Sequence, residues 1–242
     1  MHSLLFYSPI AIILTLLSGS IPLWGRWKED HLHDFVSVSA GVLLTTAFLH
    51  LLPDAVERST PHIVGVGILC SFVLLFILEK FIMLHPCEES HCDYHTLGIA
   101  AFTGMIIHTF FDGLALGASL LVEGGLANVV FFAIMAHKIP SAFALGSILK
   151  KAKWPKARIL LFLTFFASVI PLGALCSSNL LSPGNEKGTG LALALSLGTF
   201  IYISTSDFLP EVHRAHSNRI RSLIGFLGGI ALMVLLSLFV PE

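Results

Sequence analysis

Eight blocks of apolar residues, separated only by short polar breaks, take up almost the whole of this 242-residue chain. They run from about 4–23, 35–54, 62–84, 97–121, 126–149, 158–180, 189–209 and 222–240, with boundaries good to a few residues. A helix needs about 20 apolar residues to cross the hydrocarbon of a bilayer, and each block meets that length. Composition agrees: 55% of residues are hydrophobic and 12% are charged, where soluble domains carry about twice that share of charge. The expectation is an all-α membrane protein of about eight transmembrane helices. It forms a single domain over residues 1–242, with no room for a separate soluble one.

The first block is long for a signal-peptide core, and Met1-His2-Ser3-Leu4 contains no Lys or Arg, so it reads as a helix. Cys70 and Cys176 fall inside apolar blocks and read as core residues. Basic residues are strongly asymmetric. The breaks after blocks one, three, five and seven hold Arg26 and Lys28; Lys80; Lys150, Lys151, Lys153, Lys156 and Arg158; and Arg214, Arg219 and Arg221. The breaks on the other side hold only Arg58 and Lys187. The positive-inside rule puts the first set in the cytoplasm and both termini on the other side.

The breaks contain ordinary turn formers: Pro61, Gly124-Gly125 and Ser182-Pro183-Gly184-Asn185. One echo runs along the chain. Block two closes on Leu51-Leu52-Pro53-Asp54-Ala55-Val56 and block seven on Phe208-Leu209-Pro210-Glu211-Val212, at opposite membrane faces. Such a pair suggests an inverted repeat, blocks one to three against six to eight, flanking four and five in a 3+2+3 arrangement.

Polar groups at membrane depth are costly and mark function by default. Blocks four and five hold the densest set: His108, Thr109 and Asp112 in one, His137, Lys138 and Ser141 in the other. His108 and Asp112 are four apart and share a helical face, as do His137 and Ser141. A tight turn near Gly124 makes the two helices antiparallel and brings Asp112 level with His137, and His108 level with Ser141. Both rungs then lie roughly 18–25 Å along the helices from the turn, near mid-bilayer. Imidazole nitrogen and carboxylate oxygen suit zinc, and two or three such ligands with water leave an exchangeable site. Pro140 removes an N–H from the carbonyl of Ala136 and is expected to kink the helix there.

The run His108-Thr109-Phe110-Phe111-Asp112-Gly113-Leu114-Ala115-Leu116-Gly117-Ala118 resembles the fourth-helix signature of the ZIP (Zrt/Irt-like) metal transporters. His137-Lys138-Ile139-Pro140-Ser141-Ala142-Phe143 is similar to their fifth-helix signature, and the likeness in organisation extends over nearly the whole chain. The resemblance implies zinc or iron uptake toward the cytosol, with metal held between helices four and five. Many members have Asn where Thr109 stands, an acid at Lys138 and Glu at Ser141, and bind two metals. Some have Glu before a helix-six Pro-Leu-Gly, where this chain has Ile170 before Pro171. With the acids of a second site replaced and an ammonium added, one metal at a time is expected. His108, Asp112 and His137 are its ligands and Ser141 a weak fourth. Thr109 and Lys138 mark the place of the second site, and Lys138 is expected to ion-pair with Asp112 or another nearby acid.

His50, Asp54 and Glu123, at the outer ends of blocks two and four, form a cluster that could focus cations inward. Asp207 and Glu211, with His213 and His216, could receive them at the inner mouth. Solvated helix ends explain both clusters equally well. The loop 85–95 carries Cys87, His91, Cys92 and His95, a zinc-type ligand set, and a reducing cytosol favours thiolate metal binding over a disulfide there.

The function expected is transport of a divalent metal by alternating access, with no catalytic cofactor. Zn²⁺ is the first choice of cargo, with Fe²⁺, Mn²⁺ and Cd²⁺ as alternatives. An intramembrane zinc hydrolase is the second reading, but no spare carboxylate stands within a turn of the three ligands to act as general base. A sensing receptor would need larger cytoplasmic loops. The partners expected are the metal ion and the bilayer, with a homodimer left open and no nucleic acid.

Overall fold

The computed structural model describes residues 2–25, 29–83, 93–121, 126–182, 184–214 and 219–239. They form eight helical rods: α1 (His2–Trp24), α2 (Glu29–Thr46, continued to Arg58), α3 (Pro61–Met83), α4 (Asp93–Ser119), α5 (Leu126–Lys151), α6 (Lys156–Leu180), α7 (Glu186–Tyr202, continued to Arg214) and α8 (Arg219–Phe239). Seven of them are long and apolar enough to cross a membrane. The other, α4, is 27 residues long, about 40 Å at 1.5 Å per residue.

Two rods are interrupted by a π-helical turn, Ala47–Leu51 in α2 and Ile203–Phe208 in α7. Each stands just ahead of a proline, Pro53 and Pro210, whose missing N–H leaves the carbonyl four residues earlier without its helical partner. Widening the preceding turn absorbs that defect, and single π turns are often found at functional sites. The two turns fall on the two copies of the sequence echo. Pro140, by contrast, lies within a helix that continues from Leu126 to Lys151.

Burial separates central from peripheral rods. The most apolar windows of α5 and α7 are 76% and 72% buried, against 22% for α1 and α3 and 17% for α8. Outer rods present leucine, isoleucine and phenylalanine outward, such as Leu69, Phe76, Leu161 and Ile224, as a lipid-facing surface requires. Cys70 belongs to that surface. The expectation of a core position fails because α3 is apolar on all sides, so apolar character does not mark its inner face, and many of its side chains, Cys70 among them, are exposed; Cys176 is half-buried.

Helices pair as α4 with α6, α1 with α5, α2 with α8, α3 with α7, α2 with α7, α1 with α6, α4 with α7, α4 with α5 and α2 with α5. Small residues let backbones touch at the first two crossings. A Cβ at Gly113 or Gly117 of α4 would overlap the backbone of Ile170, Gly173 or Ala174 in α6, and one at Gly146 of α5 would overlap Gly19 of α1. Such close approach is how helices associate where lipid removes the hydrophobic drive. The rod ends are tied by polar contacts. Asn185 caps α7 by accepting from Gly188 N at 2.9 Å. Arg58 of α2 meets Glu186 of α7 at 2.6 Å. At other ends Arg221 pairs with Asp34, and Lys150 Nζ donates to the carbonyls of Pro22 and Gly25, at 2.6 and 2.5 Å, where α1 stops.

Candidate metal centre

Three side chains converge at the centre of this bundle. His108 and Asp112 come from one face of α4 and His137 from α5, and the ligand atoms they offer all lie within 4.8 Å of one another. Asp112 Oδ2 is 3.3 Å from His108 Nε2 and 3.4 Å from His137 Nε2. The two imidazole centroids are 5.5 Å apart. All three residues are buried. Phe200 of α7 lies edge-on to both rings, at 4.7 and 4.4 Å, and forms an apolar wall over them. Two neutral imidazoles and one carboxylate carry a single negative charge, a donor set suited to zinc-like ions.

Ser141 is buried one turn beyond His137, but its hydroxyl donates back to the His137 carbonyl at 2.7 Å. It is therefore not held toward the other three. Thr109 and Lys138 meet each other. Thr109 Oγ1 donates to the Met105 carbonyl at 2.6 Å, so it accepts from Lys138 Nζ. The ammonium also stands 3.7 Å from the centre of the Phe166 ring in α6, a cation–π contact. The ion pair expected between Lys138 and Asp112 is absent; among the described residues the ammonium pairs with no carboxylate. The reason is helical phase: residues 137 and 138 are about 100° apart around α5, so when His137 faces Asp112 its neighbour faces Thr109 and α6.

Among the described side chains, the centre consists of these three donors, and the other candidates are placed as follows. His50 lies on the π turn of α2 and Asp54 just beyond it, both half-buried. Asp207 lies on the π turn of α7, and Glu211 on the helical stretch that follows. His95 lies on the first turn of α4. Glu123, Cys87, His91, Cys92 and His216 lie outside the described residues.

Two groups beside the centre were not anticipated from the sequence. Ser196 Oγ of α7 donates to Asp112 Oδ1 at 3.2 Å, and Thr199 Oγ1 lies 3.0 Å from His108 Nδ1. Both residues are buried. The available signal is a pair of hydroxyls three residues apart in the middle of block seven, hence on one helical face.

The sequence matches the model of a family described as ZIP Zinc transporter, over residues 2–91 and 85–237. It is similar to "Zinc transporter ZIP9-B" of Xenopus laevis, at 28% identity over 243 residues, covering 81% of this chain and 80% of that protein. "Zinc transporter ZIP13" of Pongo abelii is 28% identical over 238 residues, covering 89% of this chain and 69% of its own length. "Probable zinc transporter 12" of Arabidopsis thaliana is 23% identical over 279 residues, covering 87% and 78%.

Proposed function

Since the chain belongs to the ZIP zinc transporter family, we propose that it carries zinc across a membrane toward the cytosol, one ion at a time, through the centre formed by His108, Asp112 and His137. The transport of zinc follows from the family; the path and the count rest on the centre. The observation that carries them is the convergence of those three donors, all buried, within 4.8 Å between two helices. A carboxylate and two imidazoles offset part of an ion's lost hydration, and a set of three donors among the described residues leaves a coordination position through which the ion can exchange. Lys138, with its ammonium turned to Thr109 and Phe166, supports a count of one, since a second dication beside it would be repelled.

The order of helix pairing supports alternating access through an inverted repeat. Exchanging α1 with α6, α2 with α7, α3 with α8 and α4 with α5 turns the α1–α5 pair into α6–α4, and the α2–α8 pair into α7–α3. The twin π turns obey the same exchange. In this reading α4 and α5 move against the flanking repeats about a fixed site. Nothing in the family or the relatives supports the hydrolase reading.

The test is uptake of radioactive zinc by proteoliposomes, with iron, manganese and cadmium as competitors. Zinc accumulation at or near the level of empty vesicles, by inserted protein, would rule the reading out. Orientation has its own check. In a background free of native cysteines, single cysteines at Lys153 and Asn185 are expected to react with an impermeant thiol reagent from opposite sides, Lys153 from the cytoplasm. Labelling of both from one side would overturn the topology.

A further inference from the structure

The two ring nitrogens of His108 face different chemistry. Nδ1 lies 3.0 Å from Thr199 Oγ1. The hydroxyl of Thr199 also lies 2.7 Å from the carbonyl of Ser196, to which it donates. A hydroxyl has one proton to give, so toward His108 it accepts, and Nδ1 carries the hydrogen. Nε2 gives the same answer from the other side. It is buried with no hydrogen-bond partner, although Asp112 Oδ2 is 3.3 Å away, because the angle is wrong for a hydrogen bond. A proton on Nε2 would be buried unpaired, which is costly; a lone pair there faces the place where a cation would sit.

We propose that Thr199 is a positioning residue that holds neutral His108 as its Nδ1–H tautomer, so that the Nε2 lone pair is ready before the ion arrives. Ser196 acts beside it: its hydroxyl engages Asp112 Oδ1 at 3.2 Å, which leaves Oδ2 turned toward both imidazoles. Through Ser196 and Thr199, helix α7 thus sets the donor atoms that α4 offers. A histidine side chain free in water favours the opposite tautomer, so the bond to Thr199 changes the ring's state rather than only steadying it. Partners of this kind change metal affinity about 10–100-fold when removed. The effect on affinity rests on the transport reading above; the tautomer is a property of the metal-free protein.

The test uses the full chain in lipid nanodiscs with ¹⁵N-labelled histidine, His108 being identified by the signal lost in His108→Asn. Without metal, the His108 nitrogens are expected to report Nδ1–H in the wild type and in Thr199→Ser, and a shift toward Nε2–H in Thr199→Val, which keeps the shape and removes the acceptor. Zn²⁺ affinity, measured against a competing chelator, is expected to fall about tenfold in Thr199→Val and to recover in Thr199→Ser. An Nε2–H wild type, or a Thr199→Val protein that keeps Nδ1–H, overturns the proposal even if affinity falls. A tautomer shift as expected, in a wild type that binds no zinc at the centre, upholds the role of Thr199 and removes the transport path instead.

Discussion

Zinc uptake by an Asp112→Ala variant in proteoliposomes is expected to fall about 100-fold or more, to the level of vesicles without protein. Asp112 is the only carboxylate among the described residues at the convergence of donors, and its Oδ2 lies within 3.4 Å of both imidazole nitrogens. A dication entering a dry, low-dielectric bundle gives up hydration that neutral imidazoles alone do not replace. Removing the carboxylate leaves two neutral rings and a nearby ammonium, a field that repels cations. Asp112→Asn separates charge from packing, because it keeps the size of the side chain and an oxygen for Ser196 to bond. It is expected to lose uptake as fully as the alanine variant. Membrane insertion and a monodisperse gel-filtration profile establish that either variant is folded. Uptake close to wild type from a folded Asp112→Asn protein would remove the carboxylate from the path.

Most of the helical frame was legible because block length alone fixes it. Block three, 62–84, became Pro61–Met83, and block six, 158–180, became Lys156–Leu180. The errors are at polar ends. By hydropathy block two ends at about 54, whereas the helix continues to Arg58, since hydropathy stops at charged residues and backbone hydrogen bonding does not. The π turns left no trace in hydropathy; only the prolines in the echo marked their places. At the centre, His108, Asp112 and His137 could be found because a short connection forces α4 and α5 side by side, so that spacing along the chain becomes depth. Ser196 and Thr199 could not be found in that way. They lie 84 and 91 residues along the chain from their partners, and hydroxyls in such helices commonly bond their own backbone, as Ser141 does. Which of them turns to a neighbouring helix is decided by the α4–α7 crossing, and local sequence does not contain that information.

The zinc content of the membrane centre is expected to rise from one ion per chain to two in Lys138→Asp. In the wild type the Lys138 ammonium is buried against Thr109 and Phe166, one residue from His137. At an effective dielectric of about 20, a unit charge a few ångströms from a dication costs several kcal/mol, and two dications at that spacing repel about twice as strongly. A second ion therefore needs both the loss of the ammonium and a carboxylate between the two sites. Lys138→Asp supplies both, with Thr109 Oγ1 and Asp112 as neighbouring oxygens. Lys138→Met removes the charge without adding a ligand, so it is expected to hold one ion, about tenfold or more tighter than the wild type. Elemental analysis of purified protein counts the ions, with Cys87, His91 and Cys92 replaced by alanine so that metal on that loop is not counted. Two ions in the wild-type centre would refute the single-ion reading. A single ion in Lys138→Asp, with no gain in affinity in Lys138→Met, would show that the ammonium does not set the count, and packing around Phe166 would have to be what excludes the second ion.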